Sequence, residues 1–281
     1  MLASRVLMVR PDHFGFHAEA GETNAFQTTG RTDRVVAEFD GLVAELRANG
    51  IRVEVVSPRS NSPDSVFPNN WLATFEEGRA VLFPMATALR RQEVDRLLVS
   101  DLGYANVTDW TERAERGVFL EGTGSLVLDR WNHTAFLCRS PRSDERLAAE
   151  ICSQFSPNYD LVAFDAVDQE GVPIYHTNVM LSVGRSYAVV CTESMPDASI
   201  LVDRLVEKQI IEISIEQMNH FCGNILQLNG PILVMSSRAI DAFTDQQKKQ
   251  LENHGKIVSA DLEQIENVGG GSARCMIAEL F

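Results

Sequence analysis

The chain has 281 residues, of which 44% are hydrophobic and 23% are charged, and its formal net charge is -14. This composition is typical of a globular protein that buries a substantial core. The negative charge argues against nucleic acid and anionic membranes as partners, because both require a basic face. No apolar run approaches the roughly 18 residues of a membrane span, and the N-terminal run is too short for a signal peptide. We therefore expect a cytoplasmic protein.

The cysteines and the ligand-type residues suggest neither a disulfide framework nor a cofactor. The five cysteines are an odd number, are widely scattered and form no Cys-x-x-Cys pair, so we expect reduced thiols and no zinc ribbon. The sequence also lacks a Gly-rich dinucleotide motif and a recognisable cluster of metal ligands. We predict that the protein uses no metal and no organic cofactor.

The first predicted helix lies in "RVVAEFDGLVAELRANG", where apolar residues recur at helical spacing until Gly50. An apolar strand, "RVLMV", precedes this helix and a β-rich run, "IRVEVVS", follows it. The apolar stripe of the helix consists of Val35, Val36, Phe39, Leu42, Val43 and Leu46.

The same order of elements recurs along the rest of the chain. The strands "AVLFP", "TAFLC", "YAVVC" and "PILVM" precede helices that we predict to begin near residues 90, 143, 197 and 244. The last of these helices opens with a Thr-x-x-Gln capping box. The runs "YANVTDW", "YDLVAFD", "QIIEISI" and "KIVSAD" follow them. The repeat length is therefore about 50 residues.

This repetition predicts the fold class. Five strand–helix–strand units without a recognisable linker favour an α/β fold in a single domain over residues 1–281. The regular spacing favours a closed, five-fold pseudosymmetric ring of the propeller type. A doubly wound sheet is the alternative, because its alternation of strands and helices has a similar pattern.

Polar residues follow the same period, in the strand-like segments that come after each helix and its β-rich run. These segments are "PDSVFPNNW", "GVFLEGTGS", "GVPIYHTNV", "EQMNHFCGN" and "GGGSARCM". In a ring, equivalent positions converge on the axis, so some of their side chains would face one cavity. These side chains are Asp64, Glu121, His176 and Cys275. The three glycines before Cys275 would let the backbone carry the thiol into a crowded centre.

Cysteine, histidine and carboxylates together can perform covalent catalysis. The thiolate attacks, the imidazole moves protons, and the carboxylates hold a cationic or NH-rich substrate. Each residue alone also has a structural interpretation, and an isolated cysteine is more often a small buried hydrophobe. Their joint occurrence at matching points of a repeat indicates an active site. The Asn219–Cys222 segment has no assigned role, and we expect His220 and Cys222 to be structural.

The motifs resemble those of one enzyme superfamily. "GGGSARCM" resembles the C-terminal cysteine motif of arginine deiminases, and "PDSVFPNN" is similar to the substrate segment of dimethylarginine dimethylaminohydrolases. "FLEGTGS", "YHTN" and "CRSPRS" resemble the glutamate, His-x-Asp and arginine segments of the guanidine-modifying, or pentein, superfamily. The resemblance spans almost the whole chain and implies a five-fold α/β propeller. "EGTGS" and "NHFCGN" most resemble the citrulline-utilisation hydrolase branch.

The resemblance implies roles for the catalytic residues. Cys275 matches the nucleophile and His176 the general acid and base. Glu121 matches the carboxylate that binds the side-chain nitrogens of the substrate.

It also implies substrate contacts. Asp64 matches an acidic contact of the dimethylarginine hydrolases, and Arg142 matches the anchor of the substrate carboxylate, which suits a planar fork. A second arginine would come from "LRRQEVD", where Arg90 is favoured over Arg91.

Two asparagines depart from the family pattern and bear on the substrate. Asn70 and Asn178 stand where arginine deiminases have Asp, and Thr123 and Gly124 replace a further acidic motif. An Asn amide can donate to the oxygen of a neutral ureido group, whereas a carboxylate would repel it. The sequence thus predicts hydrolysis of citrulline to ornithine, ammonia and carbon dioxide.

Other functions of the superfamily remain open. The first is arginine deiminase or dimethylarginine hydrolase activity, the second is amidino transfer, and the third is a non-catalytic binding protein of the same fold. The complete set of four active-site residues favours an enzyme. We expect a small amino-acid substrate as partner, and homo-oligomers are possible.

Overall fold

A computed structural model describes residues 1–155 and 157–281 of the chain. The described residues form five three-stranded sheets. In every sheet the central strand pairs antiparallel with one neighbour and parallel with the other.

The strands are short and their bounds follow the predicted period. In chain order they are β1 (Arg5–Val9), β2 (Arg52–Val56), β3 (Leu72–Phe75), β4 (Arg79–Leu82), β5 (Asn106–Asp109), β6 (Leu126–Asp129), β7 (Thr134–Cys138), β8 (Asp160–Phe164), β9 (Leu181–Val183), β10 (Tyr187–Val190), β11 (Gln209–Glu212), β12 (Leu226–Leu228), β13 (Ile232–Ser236), β14 (Lys256–Ala260) and β15 (Ala278–Leu280).

The helices are mostly short as well. They are α1 (Ala18–Gly21), α2 (Val35–Ala48), α3 (Arg96–Asp101), α4 (Gly122–Ser125), α5 (Glu145–Gln154), α6 (Ser199–Val202), α7 (Ile215–Asn219), α8 (Ser237–Ala242) and α9 (Asp245–Glu252). Tight 3₁₀ or π turns cover Pro68–Asn70, Arg90–Glu93, Thr111–Arg116, Thr177–Val179, Thr192–Ser194 and Ile265–Gly269. None of the helices in residues 1–155 and 157–281 is long and apolar enough to cross a bilayer.

Each unit consists of two antiparallel strands, a helical segment and a third strand parallel to the second. The units are β3–β5, β6–β8, β9–β11 and β12–β14, and the fifth joins both ends of the chain in the order β15–β1–β2. The predicted five-unit α/β fold is confirmed. The additional strand of each unit follows the polar residues, in the segment that the sequence pattern indicates to be strand-like.

Shared hydrophobic clusters join each unit to the next. Leu7 of β1 packs in one cluster with Leu72 of β3, and Phe75 of β3 packs in another with Leu126 of β6. A third cluster runs from β7 through β10 to β13, and a fourth joins β13 to β1 and to Ile277, which precedes β15. The apolar contacts therefore follow the ring of units back to its start.

Two predicted helices differ from those observed. The helix predicted near residue 90 begins at Arg96, because Val94 is extended and the carboxylate of Asp95 accepts a hydrogen bond from the backbone N–H of Leu98 at 2.9 Å. The helix predicted near residue 197 is limited to α6. In α2 the predicted stripe is buried except for Val36, which is 41% exposed. The Thr-x-x-Gln capping box of α9 is present.

Two glycines, one within α2 and one just after it, provide a matched test of backbone conformation. Gly41 is exposed within α2, and a methyl group added to it would meet no other atom within 4 Å, whereas Gly50 adopts a left-handed φ of 82° after the helix ends. We expect Gly41→Ala to raise the free energy of unfolding by about 0.5–1 kcal/mol and Gly50→Ala to lower it. Urea denaturation measures both, and equal effects of one sign would contradict the assigned backbone conformations.

Candidate active site

Short turns before the first strands of four units meet at the centre of the ring. They precede β3, β6, β9 and β15, as the shared period of the polar residues predicts. They form, together with residues from both ends of the chain, a narrow cavity of about 10 Å³. Its lining consists of Asn24, Asp64, Phe67, Asn70, Arg90, Arg142, Tyr175, His176, Gly269, Gly270, Gly271 and Cys275. The structure thus places six of the eight predicted site residues on this lining, and the other two, Glu121 and Asn178, contact it directly.

The glycines before Cys275 are needed because the loop packs closely against its surroundings. Gly270 has a left-handed φ of 63°. A Cβ atom on Gly271 would lie 2.9 Å from the ring of Phe67, and one on Gly269 would lie equally close to it. Larger residues would push this loop away from the cavity and displace the thiol.

The sulfur of Cys275 is buried and faces two side-chain amides. Nδ2 of Asn224 lies 3.3 Å from Sγ, and Nδ2 of Asn178 lies 3.4 Å from it. Asn224 was not anticipated from the sequence, although it belongs to the "NHFCGN" segment that follows the period.

Glu121 lies beneath the cavity and holds His176 and Arg142. Its Oε2 atom is 2.8 Å from His176 Nε2 and 3.4 Å from Arg142 Nη1, and its Oε1 accepts the backbone N–H of Ala86 at 3.0 Å. Burial raises the pKa of Glu121, but Arg142, His176 and Arg90 outweigh burial and hold this pKa well below its ordinary value. Glu121 is therefore an ionised carboxylate that orients the imidazole.

The environment of His176 favours its neutral form. Burial is the largest effect and lowers the pKa of His176, and Arg142 and Arg90 lower it further, so the pKa stays below its ordinary value although Glu121 raises it. With Nε2 directed to Glu121, the other ring nitrogen, Nδ1, lies over Gly124, where a Cβ atom would approach it to 2.7 Å. The glycine therefore lets the imidazole pack closely against α4.

Arg90 is buried and already paired on several sides. It binds Glu93 in a bidentate manner at 3.0 Å through Nε and Nη2, and its Nη1 donates to Oδ1 of Asn70 at 3.0 Å. It also lies 3.8 Å from carboxylate oxygens of Asp64 and Glu121. Burial raises the pKa of Glu93, although Arg90 opposes this effect.

Arg91, the alternative second arginine, points elsewhere. Its guanidinium donates to the backbone oxygens of Met85 and Ala86 and stacks over Phe119. It is not part of the cavity lining. The geometry therefore leaves Arg90 as the arginine of this segment that can affect a bound molecule.

An N-terminal segment, residues 17–27, covers the cavity and was not anticipated from the sequence. Asp64 accepts a hydrogen bond from Gln27 at 3.1 Å and lies 2.7 Å from Nδ1 of His17. Arg142 donates to Thr23 Oγ1 at 2.8 Å and to the backbone oxygen of Ala20 at 2.5 Å. Two predicted substrate contacts are therefore held by a segment outside the repeat.

The other four cysteines lie apart from this site. Burial raises the pKa of Cys138, Cys152 and Cys222 to about 12 and also raises that of Cys191. Cys222 donates to the backbone oxygen of Ala239, in agreement with the structural role expected for it. Within residues 1–155 and 157–281, no group of three or more His, Cys, Asp or Glu side chains could hold a metal ion.

The fold and the site together define the class of protein. Five ββαβ units around a cavity with a cysteine, a histidine and a carboxylate place the chain in the guanidine-modifying, or pentein, superfamily. A family profile described as "N,N dimethylarginine dimethylhydrolase, eukaryotic" matches residues 10–281, and the chain belongs to this family. No curated protein sequence is significantly similar to the chain.

Solved structures with the same fold support this placement. The arginine dihydrolase ArgZ from the ornithine–ammonia cycle in cyanobacteria superposes with a TM-score of 0.80 at 18% identity, over 98% of this chain and 40% of ArgZ. The isolated N-terminal domain of ArgZ, as a substrate-bound variant, is covered to 97% with a TM-score of 0.79. A dimethylarginine dimethylaminohydrolase adduct matches over 100% of both chains with a TM-score of 0.73 at 12% identity. This chain therefore spans less than half of full-length ArgZ, and at these identities the likeness establishes the fold.

The depressed pKa of Glu121 predicts how stability depends on pH. Because the folded pKa lies below the ordinary 4.5, the unfolded chain binds more protons in acid. The stabilisation is complete above pH 4.5 and is lost as the pH falls toward the folded pKa. We expect the free energy of unfolding to fall less between pH 6 and pH 3 in Glu121→Gln than in the unmodified protein, from a starting value about 3 kcal/mol lower. Urea denaturation across this range measures both quantities, and parallel curves would contradict the charge assigned to Glu121.

Proposed function

We propose that the chain hydrolyses a C–N bond in the guanidino group of an arginine-type free amino acid, with Cys275 as the nucleophile. The observation that carries this proposal is the convergence of Cys275, His176 and Asp64 on one small cavity, with Glu121 behind the histidine. Membership of the dimethylarginine dimethylhydrolase family supports it. The same fold occurs in AgrE, which has been solved with L-arginine, and in the arginine dihydrolase ArgZ.

In the first half of the reaction, the thiolate of Cys275 attacks the central guanidino carbon. A carbon–sulfur bond forms, and the carbon becomes tetrahedral. His176, which has accepted the proton of the Cys275 thiol, then delivers this proton to the departing nitrogen, and the C–N bond breaks with release of ammonia or a substituted amine. The amino acid remains attached to Sγ as a covalent amidino intermediate.

In the second half, water replaces the released amine. His176, now neutral, accepts a proton from the water as its oxygen attacks the same carbon. The carbon–sulfur bond breaks, the thiolate leaves, and a ureido product departs. Glu121 keeps the imidazole oriented in both steps because its carboxylate holds Nε2.

Carboxylates and arginines would fix the two ends of the substrate. Asp64 lines the cavity and offers a carboxylate to the guanidinium, whose N–H groups prefer such partners. Arg142 would bind the substrate's α-carboxylate, because its fork has donors beyond those used for Glu121, Thr23 and Ala20. Arg90 would act mainly through its contacts to Asp64 and Asn70, since Glu93, Asn70 and the backbone oxygen of Phe67 together accept from most of its N–H groups.

Hydrolysis of a ureido amino acid such as citrulline is the second candidate. The sequence predicted this activity because Asn70 and Asn178 would both donate to the ureido oxygen. The amide nitrogen of Asn178 instead faces Sγ of Cys275, so Asn178 no longer supports this candidate. Asn70 still supports it, because its Nδ2 is buried without a partner among the described residues and could donate to an oxygen in the cavity.

Covalent catalysis gives a direct prediction. We expect Cys275→Ala to lose all turnover while remaining folded, and rapid acid quenching of the unmodified enzyme to show added mass on the Cys275 peptide. Cys152→Ala is the matched control, because this buried thiol lies in α5, away from the cavity. Normal turnover by Cys275→Ala, or an adduct on another cysteine, would refute the proposed nucleophile.

The choice between the two substrate classes is tested by kcat/KM values. Arginine, methylated arginines and citrulline should be compared, with products analysed by mass in the presence and absence of an added amine. We expect a guanidino compound to exceed citrulline, and Asn70→Asp to reduce citrulline turnover about tenfold or more, because it replaces the free donor by a negative charge. Preference for citrulline would favour the second candidate, and transfer to the amine would show an amidinotransferase.

A further inference from the structure

The nucleophile has two neutral hydrogen-bond donors at its sulfur. Asn224 and Asn178 both direct Nδ2 at Sγ of Cys275, at 3.3 and 3.4 Å. All three side chains are buried, with exposed fractions of 1%, 1% and 4%. These amides come from the turns before β12 and β9, whereas Cys275 precedes β15.

The orientation of the Asn224 amide is fixed by the backbone. The N–H of Arg274 donates to its Oδ1 at 2.9 Å, and its Nδ2 donates to the backbone oxygen of Asn178 at 2.9 Å. A backbone N–H can only donate and a carbonyl oxygen can only accept. Exchange of the amide oxygen and nitrogen would break both bonds, so the NH2 group must face the sulfur.

Such an arrangement distinguishes between the two states of the thiol. A donor strengthens its hydrogen bond when the acceptor becomes an anion, and it therefore favours the thiolate over the thiol. The thiolate is the nucleophilic form. Since Asn224 also holds the backbone of Arg274 beside the cysteine, the same amide orients Sγ within the cavity.

We propose that Asn224 and Asn178 form a two-amide cradle that stabilises and orients the thiolate of Cys275. Both residues touch the reacting sulfur and are catalytic residues in this sense. Asn178 thereby takes a role different from the substrate contact predicted from the sequence. The proposal rests on the proposed function only in taking Cys275 as the nucleophile.

The test is the rate at which iodoacetamide alkylates Cys275 as a function of pH, followed by mass analysis of the Cys275 peptide without substrate. Asn224→Asp keeps the shape and the oxygen that accepts from Arg274 but replaces the donor by a negative charge. We expect its alkylation rate at pH 7 to fall about tenfold. The half-maximal pH, at which the alkylation rate reaches half of its maximum, should rise. Asn178→Ser should move the half-maximal pH in the same direction. An unchanged pH profile in both variants would overturn the cradle.

Asn24→Ser is the matched control. Asn24 is buried and donates to the backbone oxygen of Gly270, so it holds the loop before Cys275 without touching the sulfur. Its half-maximal pH should be that of the unmodified protein, and an equal shift would show that loop position alone sets the reactivity. If Asn224→Asp fails to unfold cooperatively on heating, Asn178→Ser decides the question.

The outcome is separable from that of the proposed function. A shifted profile in an enzyme that hydrolyses no guanidino or ureido compound would support the cradle and refute the function. Hydrolysis with an unshifted profile would refute the cradle alone.

Discussion

The buried charge of Glu121 is the constraint on which the site depends. A carboxylate with no exposed surface is stable only when its oxygens are fully paired. Its partners come from different units: the N–H of Ala86 follows β4, Arg142 follows β7, and His176 precedes β9. One charge therefore fixes the relative positions of three units and, at the same time, the orientation of the imidazole and of the arginine that line the cavity.

Arg142 connects this charge to the segment that covers the cavity. One edge of its guanidinium meets Glu121, while Nε and Nη2 hold Thr23 and the backbone of Ala20. Asp64 is held in a comparable way by His17 and Gln27. The groups proposed to bind the substrate are thus the same groups that hold the cover in place, and a bound amino acid would exchange some of these contacts for its own.

The sequence predicted the ring and most of its site because both follow from local periodicity. Apolar runs and helical spacing repeat with each unit, and polar side chains at equivalent turns must converge in a ring. Asn224 satisfied the same period but was missed, because an asparagine has no distinctive chemistry until its neighbours are known. The cover was missed because residues 17–27 lie outside the repeat and are positioned by tertiary contacts. The start of α3 depended on the extended backbone of Val94, which helical spacing does not reveal.

The pairing of β15 with β1 has a consequence for how the molecule folds. This sheet joins strands from opposite ends of the sequence, and Cys275 lies just before β15. Contacts between such distant residues carry a large loop-closure entropy and form slowly, whereas the units β3–β14 are built from contacts within short stretches. Four units can consequently collapse early, but the sulfur reaches its two amides only when the ring closes, so catalytic competence is acquired at the end of folding.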